Sequence, residues 1–295
     1  MDNAYRTVTL PDGRQLEYLV EGDPDGVPLV LHHGTPGSAV PFPRASEAAA
    51  ARGLALVMCS RAGYGGSSPD EGRTVASVAA DVAALLDSLD RTEFLSLGWS
   101  GGGPHSLACA ALLPERCRAA ATGAGVAPYD TGGELDFLAG MGPENVEEFG
   151  AALAGREALA PLLKREAAKL TGVTPEEVAE ALGGLVSPVD KAYATGEVAG
   201  RMLASFTHGC ANGTDGWADD DLAFTQHWGF DLQDITVPVS IWQGGQDRMV
   251  PFEHGQWLAA HVPGARAHLY DDEGHLSLWN KLDEVFDDLK ERAGL

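Results

Sequence analysis

Leu97-Gly98-Trp99-Ser100-Gly101-Gly102-Gly103 is the stretch on which the reading of this chain turns. Before it, Glu93 to Leu97 reads as a short buried strand; after it, Pro104 to Leu113 is a small-residue run bearing Ala and Leu that reads as a helix. A serine between glycines at a strand-to-helix turn fits the G-x-S-x-G nucleophile elbow. The spacing has a steric cause. Such a turn strains the serine backbone and brings the residues two before and two after it so close that side chains would clash. The serine oxygen then stands free at the start of a helix, whose dipole favours developing negative charge. A structural or phosphate-binding glycine turn shares this local pattern. What separates the two readings is whether the chain also supplies a base, an acid and an oxyanion hole in the right order.

Upstream, Tyr5 to Leu10 and Gln15 to Val20 are β-like runs joined by Pro11-Asp12-Gly13-Arg14, a hairpin signal. Pro28 to His33 is an apolar strand ending at Gly34-Thr35-Pro36-Gly37, Ala45 to Arg52 a helix stopped by Gly53, and Leu54 to Cys59 another strand. Thr74 to Leu89 sets Val75, Val78, Val82, Leu85, Leu86 and Leu89 on one helical face, and Cys117 to Gly123 is a further strand. A hairpin followed by alternating strands and helices predicts an α/β fold with a mainly parallel sheet, whose ligands bind beyond the carboxyl ends of the strands. The Gly34, Ser60 and Ser100 turns all fall at those ends. From about Pro128 to Phe224 the alternation stops in favour of helix formers (Val146 to Leu153, Ala158 to Leu170, Pro175 to Leu182, Glu197 to Ser205). Residues 129–228 hold 17 acidic against 6 basic side chains. This reads as a helical insertion over the active edge of the sheet, a second independent domain being the alternative. The acidic run Asp219-Asp220-Asp221 reads as solvated surface. Strand alternation resumes with Val237 to Gly244, a helix from Pro251 to Val262, a strand from Arg266 to Tyr270 and a helix from Leu278 to Ala293.

Composition narrows the class. The 295 residues suffice for one large core, and 44% hydrophobic with 21% charged residues is ordinary for a globular protein. A net charge of −23 repels nucleic acid and anionic membranes and disfavours the distant approach of anions; solubility and high-salt adaptation both fit it. No run approaches the roughly 20 apolar residues of a membrane span. Met1 to Arg6 shows no signal-peptide pattern, so a cytoplasmic location is expected. Cys59, Cys109, Cys117 and Cys210 follow no metal or disulfide spacing, and Cys59 and Cys109 read as reduced core residues. No metal and no cofactor are expected.

A serine hydroxyl needs an adjacent base that a third group orients. The acid candidate is Asp247, in Gly244-Gly245-Gln246-Asp247, and the base candidate is His275, in Asp271-Asp272-Glu273-Gly274-His275. Asp271, Asp272 or Glu273 could replace Asp247 only through an unusual loop. His32 reads as a satisfied strand residue and His105 as packed or solvent-facing, while His208, His227, His254, His261 and His268 show no metal-like spacing.

With these motifs in hand, the chain resembles the α/β-hydrolase superfamily over nearly its whole length, in the group with a helical cap inserted after the sixth strand. The family order nucleophile, acid, histidine matches Ser100, Asp247, His275, and His33-Gly34 and Arg61-Ala62-Gly63-Tyr64-Gly65-Gly66-Ser67 match further motifs. Where relatives often carry Asp before that Arg, this chain has Ser60, which predicts a lost polar contact. The resemblance implies a mostly parallel eight-stranded sheet flanked by helices, with residues 1–128 and 225–295 as core and 129–224 as cap. It implies Ser100 as nucleophile, His275 as base, Asp247 as orienting acid, and an oxyanion hole of the Thr35 and Gly101 N–H groups. On this reading Thr35→Ala alone is mild. Gly34 and Trp99 are pocket candidates, although Trp99 equally fits packing beneath the elbow.

The implied function is a cofactor-free, carboxylesterase-like serine hydrolase acting on an ester, lactone, thioester or amide of an uncharged small molecule through an acyl-serine intermediate. Ser100 argues against the dehalogenases and epoxide hydrolases of this fold, which use Asp. The alternatives are a cofactor-free haloperoxidase, a carbon–carbon bond hydrolase, a proline iminopeptidase-like aminopeptidase and a non-catalytic small-molecule receptor. The aminopeptidases typically carry G-G-S-W-G at the elbow and need a cap carboxylate for an amine, for which Glu144, Glu147 and Glu148 are candidates. The partner expected is a small-molecule substrate, with no nucleic acid and no membrane.

Overall fold

The computed structural model describes residues 5–295, so the reading of Met1 to Ala4 lies outside the described residues. Eight strands form one sheet in the order β1-β2-β4-β3-β5-β6-β7-β8. The strands are β1 (Arg6–Thr9), β2 (Gln15–Gly22), β3 (Val27–His32), β4 (Leu54–Cys59), β5 (Phe94–Trp99), β6 (Cys117–Gly123), β7 (Val239–Gly244) and β8 (Arg266–Tyr270). β1 and β2 pair antiparallel, as does β2 with β4; from β4 to β8 every pairing is parallel. The hairpin therefore forms one edge, and the crossover helices cover both faces. That is why β4, β5 and β7 are buried at every position and read as continuous apolar runs.

On one face pack α2 (Val78–Ser88), α3 (Gly103–Leu112) and α10 (Phe252–His261), through Val82, Leu85, Leu107 and Leu258. On the other lie α1 (Pro43–Ala50) and α11 (Leu282–Ala293), the latter burying Leu282, Val285, Phe286 and Leu289 at helical spacing. Cys59 and Cys117 are buried and unpaired, and burial pushes both thiols up to about 12.

Between β6 and β7 come six helices: α4 (Pro143–Ala154), α5 (Arg156–Thr171), α6 (Val178–Ala181), α7 (Pro188–Tyr193), α8 (Gly196–Gly209) and α9 (Asp215–Phe224). They share an apolar cluster of their own that includes Leu159, Leu163, Val178, Ala199 and Trp217. Two of them, α7 and α9, are absent from the sequence reading, and α9 overturns it. Asp219, Asp220 and Asp221 are 2%, 0% and 1% exposed rather than solvated. Three acids in a row look like surface because their partners are remote in sequence: Arg156 meets Asp219, while Arg61 and Arg73 meet Asp220. Among the described residues, no helix is long and apolar enough to cross a membrane.

Candidate active site

Strand register assembles the site. His32 lies opposite Gly98 and Trp99 opposite Gly123, so the turn after β3 sits beside the turn after β5. Gly244 lies opposite Tyr270, which brings the loop of Asp247 next to the loop of His275. Ser100 occupies the left-handed region at φ 56°, at the head of a 3-10 turn (Ser100–Gly102) that leads into α3. A Cβ at Gly98 would run into the Gly102 carbonyl, and one at Gly102 into the His32 carbonyl, so both must lack a side chain. The steric argument for the elbow's spacing holds in the structure.

Asp247 and His275 are brought into contact, with Asp247 Oδ2 2.8 Å from His275 Nδ1. Asp247 Oδ1 accepts the N–H groups of Met249 and Val250, both at 2.8 Å, and Gln243 Nε2 donates to Oδ2 at 3.1 Å. Burial raises the Asp247 carboxyl, an effect that His275 opposes. Burial alone would lower the His275 imidazole, but Asp247 and then Asp190 outweigh it and hold it above the usual histidine value. Asp271, Asp272 and Glu273 make no hydrogen bond to the imidazole. Ser100 makes no hydrogen bond to His275 here; the two border one cavity, and such contacts commonly tighten only when substrate binds.

That cavity measures about 190 Å³ and is also bordered by Gly34, Thr35, Trp99 and Gly101. A Cβ at Gly101 would strike the Thr35 side chain, so the two are neighbours. Trp99 satisfies both of its readings: it stacks on Trp279 with ring centroids 3.7 Å apart and still borders the cavity. Glu144 and Glu148 reach the cavity, whereas Glu147 pairs with Arg165 at the surface. Burial raises Glu148 to about 7, and burial together with Glu148 raises Asp221.

Two buried aspartates of the helical insertion hold the frame, and sequence reasoning assigned neither. Asp220 Oδ2 accepts from Thr35 Oγ1 at 2.7 Å, Arg61 Nη2 at 2.6 Å and Tyr64 Oη at 2.9 Å, and Arg73 Nη1 lies 2.7 Å from Oδ1. Arg61 also donates to the carbonyls of His33 and Gly34. Burial would raise Asp220, but Arg61 and Arg73 reverse this and hold it well below the ordinary carboxylate range. Asp190 accepts the backbone N–H groups of His275, Leu276 and Ser277 at 3.1, 2.7 and 3.0 Å. A sequence signal existed for each. The acidic run is flanked by Trp217-Ala218 and Leu222-Ala223-Phe224, and Ser187-Pro188-Val189-Asp190 is a helix-start pattern whose Ser187 caps α7.

Two further expectations change. Ser60 has lost no contact: it donates to Glu17 Oε1 at 2.8 Å and accepts from the Ala39 N–H. The Thr35 side chain, whose loss the sequence reading makes mild, is engaged with Asp220 and Arg61. His105 takes the packed of its two readings: it is buried 3.5 Å from Asp220, and burial with the nearby Arg61 pushes it down to about 4. His32 ends β3 and is buried, but it is not the fully satisfied residue expected: its Nδ1 has no partner among the described residues.

Residues 27–282 match the model of the alpha/beta hydrolase fold family. The chain belongs to that family. This α/β hydrolase is 34% identical over 154 residues to a non-heme chloroperoxidase of Streptomyces lividans, covering 52% of the chain and 55% of that protein. It is 26% identical to a 2-hydroxy-6-oxononadienedioate/2-hydroxy-6-oxononatrienedioate hydrolase of Cupriavidus pinatubonensis, covering 93% of the chain and 90% of the relative. Its fold is similar to that of the esterase RhEst1 from Rhodococcus sp. ECU1013, with a TM-score of 0.66 at 22% identity over 98% and 99% of the two chains.

Proposed function

We propose that this α/β hydrolase is a serine hydrolase acting on a small carbonyl compound, with ester cleavage as its principal reaction. The observation that carries the reading is the Asp247–His275 contact at 2.8 Å beside a cavity into which the left-handed turn presents Ser100. Ser100 Oγ attacks the carbonyl carbon as His275 takes its proton. The tetrahedral oxyanion collapses to an acyl-serine, and His275 protonates the departing alcohol. Water, deprotonated by His275, then releases the acid. Asp247 fixes the imidazole with Nδ1 protonated and stabilises its charged form. The Thr35 and Gly101 N–H groups are assigned to the oxyanion; losing one such donor typically lowers kcat by about a hundredfold. Residues 129–224 act as a cap, consistent with the cavity residues that α4, α5, α8 and α9 contribute.

A fluorophosphonate probe tests the nucleophile. Wild type should be labelled and Ser100→Ala should not; equal labelling, or none in wild type, removes the reading. The position of Glu144 and Glu148 on the cavity favours one second reading, cleavage of aminoacyl amides whose amine those carboxyls hold. Aminoacyl 4-nitroanilides run beside 4-nitrophenyl esters distinguish the two.

A further inference from the structure

The cavity wall carries two cations for which the proposed mechanism has no use, Lys169 and Arg201, and Lys169 has Glu166 3.7 Å away. Arg201, on α8, borders the same cavity as Ser100 and His275. Its guanidinium carbon lies 3.7 Å over the Phe42 ring and 6.0 Å from the Trp279 ring centroid. Trp279 in turn stacks on Trp99, the residue preceding Ser100. Among the described residues no carboxylate oxygen lies within 4.0 Å of this guanidinium, and its Nε is enclosed without an acceptor. Three other arginines at the insertion do have a carboxylate: Arg61 and Arg73 share Asp220, and Arg156 has Asp219. Glu21, which faces the same region, is bonded to the Phe42 N–H at 3.1 Å instead. Ser205, one turn further along α8, is spent on the Ser38 backbone.

A purely structural role, with the side chain lying flat on Phe42, accounts for the face of the guanidinium but not for its edge. The planar fork offers its N–H groups along that edge, in the geometry that suits a carboxylate. Burial lowers Arg201 to about 10, so it stays charged at neutral pH. A charged guanidinium packed against aromatic rings, on which Glu21 acts only through space and to which no carboxylate comes within 4.0 Å, leaves room on its edge for an acceptor supplied by the cavity.

We propose that Arg201 is a carboxylate-recognition residue, and that the substrate is an ester or related carbonyl compound bearing a free carboxylate on a short chain. This rests on the serine-hydrolase reading and narrows its substrate class, replacing the uncharged substrate that the sequence suggested. The net charge of −23 opposes such an anion only at long range, where salt screens it, whereas Arg201 acts at contact.

The test compares the 4-nitrophenyl monoester of glutaric acid with the 4-nitrophenyl ester of glutaramic acid, which has the same shape but no charge. Wild type should prefer the charged ester by about tenfold or more in kcat/KM, carried in KM. Arg201→Gln should bring that ratio towards unity, with Arg201→Lys between. The ratio is the readout because a general loss of folding or activity moves both substrates together. A wild-type ratio near one, or a ratio unchanged by Arg201→Gln, overturns the proposal. Calorimetry of glutarate with Ser100→Ala separates this result from the chemistry. Binding that disappears on adding Arg201→Gln supports the subsite even where no ester is cleaved, in which case only the hydrolase reading falls. Glutarate binding that is absent, or indifferent to Arg201, overturns the subsite while labelling at Ser100 stands.

Discussion

Asp220→Asn is the most informative single substitution in this protein. The carboxylate is fully buried and accepts from Thr35, Arg61 and Tyr64 while pairing with Arg73. Asparagine keeps one acceptor oxygen, turns an NH2 group towards donors and leaves two guanidiniums buried without their anion. Breaking a buried pair from one side typically destabilises by about 3–5 kcal/mol. Urea unfolding at pH 7 should show a loss of that order. Because Asp220 is held well below the ordinary carboxylate range, its contribution is complete above the unfolded value and is lost as pH falls through the folded one. The gap between wild type and variant should therefore stay constant from pH 7 to about 5 and begin to narrow below about 4. The same change frees Thr35 and relaxes Arg61, which holds the His33 and Gly34 carbonyls, so kcat for a 4-nitrophenyl ester should fall by about tenfold or more with KM less affected. A variant within about 1 kcal/mol of wild type and with unchanged kcat would refute the argument that this carboxylate anchors the His33–Thr35 turn.

Four further expectations follow from the contacts of the site. The acid limb of kcat/KM against pH should have its midpoint above 6.5, since Asp247 and Asp190 outweigh the burial that would lower His275 and only the neutral imidazole is a base; a midpoint at or below that value contradicts it. Asp247→Asn should move this limb down and reduce kcat by about a thousandfold or more, measured with the same esters. Asp190→Asn, which leaves three backbone N–H groups with a poorer acceptor, should lose about 2 kcal/mol or more in urea unfolding and should also lower the limb; an unshifted limb would leave Asp190 a purely structural residue. Thr35→Val should lower kcat by about tenfold while Thr35→Ser restores most of it, because the serine hydroxyl can still bridge Arg61 and Asp220.

The scaffold, and the candidate residues along its edge, were legible in the sequence. Apolar runs of strand length, alternating with helices, specify a parallel sheet because both faces of each strand must be covered. The glycines around Ser100 are a local steric requirement, so they are legible locally. Asp247 and His275 could be named because each closes a strand whose end lies at one rim of the sheet. The helical insertion offered no such rule. Its helices pack by side-chain shape, and its charges find partners 156 to 185 residues away, as Asp220 does with Tyr64 and Thr35. Only the tertiary structure turned Asp219-Asp220-Asp221 from apparent surface into core, gave Asp190 the backbone of the His275 loop, and put Arg201 on the cavity wall with no carboxylate within 4.0 Å. The physical reason is the same in each case: whether a charge is solvated, paired or waiting for a ligand depends on what folding brings beside it, and that neighbour is not its neighbour in the chain.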